Sequence, residues 1–260
     1  MKYIPLKVQN SKRFGEFCEL SLKGDFEPSL PGQFYMLKAK SWKSMPLFPR
    51  PISILDEDFE RGLIKFLIKN LGQGSKMLTE LIKGEKVMAT GPLGNHFPFE
   101  KIKKNDKVFL IGGGVGVPPL YYLSKILYQR GYDFYFLEGA KKKSELLLID
   151  EIRNLGGKVF TSTEDGSDGE KGFVTEIAKK YADFADFVFA CGPYGMLSAV
   201  AKIFNLEKTK CYVSLEERMA CGYGICLGCA VEVKKCNGKK HFERVCFEGP
   251  IFESRLIEWK

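Results

Sequence analysis

The segment Lys107-Val-Phe-Leu-Ile111-Gly-Gly-Gly-Val-Gly116-Val-Pro-Pro119 decides the fold of the second half of the chain. An apolar run ends at Ile111 in a glycine-rich loop. Two prolines follow at positions that suit the first turn of a helix, where amide groups have no partner within the helix. The pattern therefore predicts a strand, a tight loop and a helix over residues 118–129.

The glycines of this loop let backbone N–H groups approach a phosphate closely, and a helix N-terminus favours negative charge. The spacing differs from the dinucleotide fingerprint G-x-G-x-x-G, because Val117 and Pro118 follow Gly116. A tight turn without a ligand therefore remains an alternative at this point.

Beyond the loop, apolar runs alternate with helical segments. Strands are predicted over 134–137, 158–162 and 187–190, and helices over 145–154, 174–181 and 195–204. This alternation predicts a parallel, doubly wound α/β domain over residues 102–210. Cys191-Gly192-Pro193 follows the strand over 187–190. Ligands bind beyond the carboxyl ends of such strands, so this turn is a candidate site for a planar ring, with a simple strand-ending turn as the alternative.

The first hundred residues have a different pattern. Short apolar runs over 2–8, 17–22, 33–38, 52–55, 63–68 and 85–90 are separated by glycine and proline, and one helix is predicted over 76–83. Many short strands at close spacing predict an antiparallel β-barrel over residues 1–101.

Two segments of the barrel carry polar groups that suit a nucleotide. In Arg50-Pro51-Ile52-Ser53, the guanidinium can fork onto phosphate oxygens and the hydroxyl can contact a ring heteroatom. The segment Asn70-Leu-Gly72-Gln-Gly74-Ser75 opens the predicted helix and could hold a second phosphate. An edge turn and a helix cap are the alternatives.

Composition excludes several classes of protein. The chain has 260 residues, of which 45% are hydrophobic and 28% charged, so it is globular rather than disordered. No apolar stretch reaches the length of a transmembrane helix and none at the N-terminus has secretory length, so we expect a cytoplasmic protein without a membrane span. The net charge is +8, but no nucleic-acid recognition motif accompanies it.

Three of the eight cysteines lie in Cys221-Gly-Tyr-Gly-Ile-Cys226-Leu-Gly-Cys229. This C-x4-C-x2-C spacing is typical of plant-type [2Fe–2S] ligation, whereas a structural zinc site usually has two short cysteine pairs. Zinc and inert thiols remain the alternatives. We expect Cys246 as the fourth ligand, because Cys236 lies in a predicted hairpin turn and the return strand brings Cys246 back to the triplet. Residues 211–260 are therefore predicted to form a third, cysteine-bearing domain.

The ordered set of motifs resembles the ferredoxin–NADP reductase superfamily, and within it the electron-transfer subunits of dihydroorotate dehydrogenase B. The most specific strings are Glu217-Arg-Met-Ala-Cys-Gly222 with its cysteine triplet, Arg244-Val-Cys246 with Gly249-Pro250, and Thr163-Glu-Asp-Gly-Ser167. The resemblance covers the whole chain. It implies a FAD-binding barrel, an NAD-binding α/β domain and a small C-terminal [2Fe–2S] domain.

The same resemblance implies which residues bind the cofactors. It assigns no side chain the role of a general base. The residues implied to hold FAD are Arg50, Pro51, Ile52, Ser53, Leu67, Ile68, Lys69, Gly74 and Ser75. Those implied to line the NAD site are Gly112, Gly113, Gly114, Val115, Gly116, Cys191, Gly192 and Pro193. The implied cluster ligands are Cys221, Cys226, Cys229 and Cys246.

A flavin joins hydride chemistry to one-electron chemistry, so it is expected between the cluster and NAD. The resemblance implies electron transfer from an FMN-containing catalytic subunit, which oxidises dihydroorotate in pyrimidine biosynthesis, within a heterotetramer of two plus two subunits. The flavin subunit of a sulfide dehydrogenase or of a ferredoxin:NADP oxidoreductase is the alternative, and a non-enzymatic metal-binding module is the second. NAD is expected rather than NADP, since the acidic Glu164 and Asp165 would repel a 2′-phosphate.

Overall fold

The computed structural model describes residues 3–42, 45–204, 207–234 and 240–259, whose strands form a closed barrel, a seven-stranded sheet and a two-stranded hairpin. The barrel is antiparallel, as predicted, and each of the six strands predicted in the first hundred residues is present. The strands are β1 Ile4–Phe14, β2 Phe17–Lys23, β3 Phe34–Ala39, β4 Arg50–Asp58, β5 Leu63–Lys69 and β6 Lys86–Leu93.

The barrel closes in the order β1-β2-β5-β4-β3-β6. Alternate side chains point inward and form one apolar core, in which residues such as Leu20, Tyr35 and Phe66 are completely buried. Burial of a side chain as large as Phe66 contributes roughly 2–3 kcal/mol. Alternating apolar residues with this period of two are therefore what holds the barrel together.

Helix α1, Gln73–Thr79, connects β5 to β6 and begins three residues before the predicted start at residue 76. The N–H groups of Leu71 and Gly72 donate to the Ser75 Oγ atom at 2.9 and 3.0 Å. These bonds satisfy amide groups that would otherwise be unpaired, so the first helical turn forms before Lys76.

The second sheet is the doubly wound α/β unit that the sequence predicted. Its strand order is β10-β9-β8-β7-β11-β12-β15, and the strands are parallel except for β15. The strands are β7 Val108–Gly113, β8 Phe134–Ala140, β9 Lys158–Thr163, β10 Glu170–Lys171, β11 Phe187–Cys191, β12 Lys210–Ser214 and β15 Ile251–Glu253. The helices are α2 Val117–Gln129, α3 Ile149–Asn154, α4 Val174–Lys179 and α5 Tyr194–Ile203.

Helices cover both faces of this sheet. Leu123 of α2 and Ile152 of α3 pack on one face, and Ile177 of α4 and Val200 of α5 pack on the other. The strand order reverses between β7 and β11, where Gly112 is paired with Cys191. The crevice beyond these two strand ends is where such sheets bind ligands.

The chain after residue 210 continues into the same sheet. Strand β12 runs parallel to β11, and β15 adds an antiparallel edge strand to β12. Between them, β13 Ala230–Lys234 pairs with β14 Lys240–Arg244 in the hairpin that the sequence predicted. Cys236 lies outside the described residues. The cysteine-bearing loops are therefore anchored at both ends to the sheet of the second unit.

Candidate functional site

A cavity of about 370 Å³ lies between the barrel and the α/β unit. It is lined by all nine residues that the sequence assigned to FAD. These are Arg50, Pro51, Ile52, Ser53, Leu67, Ile68, Lys69, Gly74 and Ser75. Residues 50–53 come from β4 and residues 67–69 from β5, so the two segments reach one wall because their strands are paired in the barrel.

Arg50 and Gly74 meet at this wall. A Cβ atom on Gly74 would lie 2.3 Å from Arg50 Nε, so a side chain at position 74 would displace the guanidinium. The Arg50 Nη1 atom donates to the Phe48 carbonyl at 2.8 Å, which orients the group across the loop before α1. The Ser75 hydroxyl donates to the Gly72 carbonyl at 3.0 Å, so it is engaged within its own turn.

The opposite wall of this first cavity comes from the rest of the chain. Val115, Pro118 and Cys191 contribute from the α/β unit, and Glu217 and Met219 from the segment before the first clustered cysteine. The sequence singled out the string around Met219 and assigned Cys221 within it to the cluster, but it gave Met219 no part in cofactor binding. Leu71, Gly72 and Gln73, from the segment that the sequence offered for a second phosphate, also line this cavity, as does Pro250 from the Gly249-Pro250 string. Further lining residues that the sequence did not point to are Phe34, Ser214, Leu215 and Glu216.

A second cavity of about 500 Å³ opens beyond the carboxyl ends of the parallel strands. Of the residues predicted to bind NAD, Gly113, Gly114 and Pro193 line it, whereas Val115 and Cys191 line the first cavity. The other lining residues are Lys69, Gly139, Ala140, Lys141, Glu145, Glu164, Gly172, Phe173, Val174, Thr175, Gly195, Met196 and Ala199.

Gly112, Gly116 and Gly192 lie in neither wall, and they act through packing instead. A Cβ atom on Gly116 would lie 2.1 Å from the Cys191 carbonyl oxygen, and one on Gly192 would lie 3.2 Å from the Gly113 nitrogen. The glycine loop and the Cys-Gly-Pro turn therefore touch through their backbones. This contact brings the two predicted segments together between the cavities.

Lys69 is the residue common to the linings of both cavities, within the ranges that the structure describes. Its Nζ atom lies 3.4 Å from Glu145 and 3.5 Å from Glu16, and 5.3 Å from the centroid of the Phe17 ring. The pair with Glu145 joins the barrel to the α/β unit. A positive charge thus lies where the two cavities meet.

The structure places Glu164 and Asp165, the two acidic residues predicted to select NAD, in different surroundings. Glu164 lines the second cavity. Asp165 instead accepts hydrogen bonds from the Ser167 hydroxyl and N–H, at 2.6 and 2.9 Å, which hold the pKa of its carboxyl below the usual range. Lys141 lines the same cavity. Only Glu164 of the acidic pair therefore faces the space that a dinucleotide would fill.

The four cysteines assigned to the cluster come from two segments, the loop over residues 221–229 and the turn after β14 that carries Cys246. Burial and the nearby Cys229 and Cys221 thiols raise the pKa of the Cys246 thiol, so the two segments lie close together. Among the residues that the structure describes, no three metal-ligand side chains converge on one point. A cysteine triplet with a distant fourth cysteine suits a binuclear cluster, in which each iron takes two protein ligands, better than a structural zinc site, which usually has two short cysteine pairs.

Backbone amides point at these sulfurs. The Gly224 N–H donates to Cys246 Sγ at 3.2 Å, and the Cys246 N–H donates to Cys229 Sγ at 3.5 Å. Burial raises the pKa of the Cys221 thiol, but amides of its loop and the Cys226 thiol lower it to about 6. A lower pKa favours the thiolate, which ligates metals, at Cys221, whereas burial and the Cys229 thiol raise the pKa of Cys246 to about 12. The four thiols and the amides that face them fit an iron–sulfur cluster.

Comparison with known proteins identifies the family. The electron-transfer subunit of dihydroorotate dehydrogenase B (NAD(+)) from Clostridium acetobutylicum is 40% identical over 252 residues, which cover 96% of this chain and 95% of that protein. The chain belongs to this family. The corresponding subunit from Bacillus mycoides is 37% identical over 248 residues, which cover 94% of each chain.

Two family descriptions match separate parts of this family member. Residues 216–258 match the iron–sulfur cluster binding domain of dihydroorotate dehydrogenase B, and residues 110–202 match the oxidoreductase NAD-binding domain. Together with the fold, they confirm the prediction of FAD, a [2Fe–2S] cluster and NAD as cofactors. An electron-transfer subunit also implies a catalytic partner.

Solved structures share the fold. The NADH-dependent reduced ferredoxin–NADP oxidoreductase has a TM-score of 0.83 and 26% identity, covering 98% of this chain and 90% of that one. The ferredoxin reductase of carbazole 1,9a-dioxygenase has a TM-score of 0.69 and 18% identity, covering 81% of this chain and 68% of that one. Within the described part of the chain, no helix combines the length and the apolar character needed to cross a membrane.

Proposed function

We propose that this subunit passes electrons between an FMN-containing dihydroorotate dehydrogenase catalytic subunit and NAD⁺, through a [2Fe–2S] cluster and FAD. One observation carries the proposal. Met219 lines the first cavity and lies two residues before Cys221. Two residues span at most about 7 Å, so the wall of the first cavity leads directly into the cysteine loop.

In this assignment the first cavity holds FAD. Arg50 provides a charged fork for phosphate oxygens, with the glycine at position 74 leaving room for it. Ser53 and residues 67–69 line the same cavity as Val115 and Cys191 of the α/β unit. FAD bound there would exchange hydride with NAD and single electrons with the cluster.

The second cavity is assigned to NAD. Gly113, Gly114 and Pro193 line it, and the backbone contact between the two loops places its inner end against Cys191, which faces the first cavity. A nicotinamide ring entering along this path would approach a flavin ring in the neighbouring cavity. The residues of this chain position two rings and exclude water, and no protein acid or base takes part.

The cluster is assigned to Cys221, Cys226, Cys229 and Cys246. Cys226 is exposed and Cys221 is half-buried, while Cys229 and Cys246 are buried. Ile225, Leu227 and Phe247 are sequence neighbours of these cysteines and are 75%, 62% and 60% exposed. Apolar residues exposed together indicate a protein interface. We assign this surface to the catalytic subunit, in a two-plus-two heterotetramer located in the cytoplasm.

The structural similarity to the NADH-dependent ferredoxin–NADP oxidoreductase supports a second candidate, in which the electron donor is a ferredoxin rather than a dihydroorotate-oxidising subunit. Both candidates use the same cofactors, and a sulfide dehydrogenase subunit would do so as well. The partner therefore distinguishes them, and the cofactor content does not.

The deciding experiment co-expresses this chain with the FMN-containing catalytic subunit and measures NAD⁺ reduction by dihydroorotate under anaerobic conditions. We expect the complex to reduce NAD⁺, and the complex with Cys246→Ser to lose that activity while keeping dihydroorotate oxidation by an artificial acceptor. Reduction of NAD(P)⁺ by reduced ferredoxin, without any from dihydroorotate, would favour the second candidate. Protein that contains neither flavin nor acid-labile sulfide would contradict both.

A further inference from the structure

Arg244 ends β14 two residues before Cys246 and lies outside both cavities. We propose that Arg244 is a positioning residue of the cysteine site, which braces the two cysteine-bearing segments against each other and raises the reduction potential of the cluster that they hold. The inference rests on the proposed function, because it takes the four cysteines as cluster ligands.

On one side, Arg244 organises the turn that carries Cys246. Its N–H and Nε groups donate to Glu248 Oε2 at 2.7 and 3.0 Å, and its Nη2 group donates to Oε1 of the same carboxylate. Two nitrogens of the guanidinium thus bind both oxygens of the Glu248 carboxylate. The turn is therefore closed around Cys246 by a two-point ion pair.

On the other side, Arg244 holds the loop between Cys221 and Cys226. Its Nη1 group donates to the Gly224 carbonyl at 2.6 Å. Its guanidinium carbon lies 4.7 Å from the centroid of the Phe247 ring, and a Cβ atom on Gly224 would lie 2.9 Å from Phe247 Cγ. The loop, the ring and the guanidinium thus pack together, and Arg244 joins segments twenty residues apart.

The bond to Gly224 orients amides that face the sulfurs. The Gly224 N–H donates to Cys246 Sγ at 3.2 Å. In the same loop, the Tyr223 N–H donates to the Cys221 sulfur at 3.5 Å. By holding the Gly224 carbonyl, Arg244 restrains the loop whose N–H groups face the sulfurs of Cys221 and Cys246. Hydrogen bonds to cluster sulfurs and nearby charges are the means by which a protein sets the potential of a cluster.

The charges predict the direction of the effect. Reduction adds one negative charge to the cluster, so the positive Arg244 stabilises the reduced state and the negative Glu248 opposes it. Removing the charge at position 244 should therefore lower the midpoint potential, and removing the charge at position 248 should raise it. A residue that only supported the fold would give no such opposite shifts, because both changes break the same ion pair.

The experiment compares Arg244→Gln, Arg244→Lys and Glu248→Gln in the full complex, with Arg255→Gln as the control. Arg255 forms a surface ion pair with Glu253, at 2.7 Å, in the same C-terminal segment. The readouts are the midpoint potential from a titration monitored by electron paramagnetic resonance, and the iron and acid-labile sulfide retained per chain.

We expect a lower potential for Arg244→Gln, a higher one for Glu248→Gln and none of these shifts for the control. Arg244→Lys should keep a potential near that of the unmodified protein but retain less iron, because lysine keeps the charge and loses the fork. Shifts of the same sign for the two glutamine variants, or none, would overturn the proposal.

If Arg244→Gln retains no cluster, Arg244→Lys and Glu248→Gln test the proposal. Full iron content in Arg244→Lys together with an unshifted midpoint potential in Glu248→Gln would overturn the proposal. Absence of a cluster from the unmodified protein would instead refute the proposed function.

Discussion

Gly222, in the loop between the first two clustered cysteines, packs so closely on Met36 of strand β3 that a Cβ atom added to it would lie 2.4 Å from the Met36 Cγ atom. Met36 is buried and is paired with Pro51, which lines the first cavity. The cysteine loop therefore rests directly on the barrel wall behind the proposed flavin. This contact couples the position of the cluster to that of the flavin cavity.

We predict that Gly222→Ala lowers both the melting temperature and the iron content of the subunit. Gly222 has a φ of +82°, which costs an alanine about 1–2 kcal/mol, and the contact with Met36 adds to that cost. Gly195→Ala is the control, because its Cβ position meets no atom within 4 Å. Thermal unfolding and iron analysis check the result. An unchanged melting temperature and iron content in Gly222→Ala would show that the loop accommodates the added methyl group.

Gly74→Ala should weaken FAD binding without a large loss of stability. The atoms that the new Cβ would meet belong to the flexible end of Arg50, so the side chain moves away and the fold is kept. Flavin retention and the FAD dissociation constant measure the effect. If displacement of Arg50 is the cause, Gly74→Ala combined with Arg50→Ala should bind FAD no more weakly than Arg50→Ala alone. Additive losses would contradict this explanation.

Glu164→Gln should reduce the preference for NADH over NADPH. One charge near a surface phosphate is worth about 1 kcal/mol, so the ratio of the two kcat/KM values should fall about fivefold. Asp165→Asn is the matched control, since the Asp165 carboxylate is bonded to Ser167 and does not line the cavity. Equal effects of the two substitutions would indicate a general charge effect instead.

Glu138 predicts a pH dependence of stability. It is completely buried, Leu147 N–H donates to its Oε1 at 2.6 Å, and burial raises its pKa well above the usual range. The group is therefore protonated when folded and ionised when unfolded at pH values between its two pKa values, so stability falls as the pH rises through that interval. In Glu138→Gln, the free energy of unfolding should no longer fall as the pH rises above the ordinary carboxyl pKa of 4.5. Denaturant titrations check this, with exposed Glu80→Gln expected to keep the original pH profile.

The sequence predicted the fold class because the patterns that indicate it are local. The strand, glycine loop and helix around Gly112–Gly116, and the alternation in the barrel strands, each lie within one or two elements, and the structure confirms the class they predict. The cysteine spacing is local as well. The sequence missed β12 and β15, because each is short and becomes a strand only by pairing with an existing sheet edge.

The candidate site was predicted only in part, for the same reason. Residues such as Arg50 and Ser53 belong to a recognisable string, and the structure places them on one cavity wall. Phe34 lines the same cavity without any local signal, because strand pairing brings it there. Pro250 belongs to a string that the sequence singled out, but only the return of the C-terminal segment brings it to this cavity. The sequence also could not tell that Glu164 faces a cavity and Asp165 does not.

By itself, the sequence determined the order of barrel, α/β sheet and cysteine unit, and the chemistry of the groups available in each. Only the tertiary structure decided that the loops of Gly116 and Cys191 meet, and that Arg244 joins two cysteine segments. The physical reason is distance along the chain. Backbone preferences and hydrophobic periodicity act over a few residues, whereas these contacts join residues about 20 to 75 positions apart and exist only once the elements have packed.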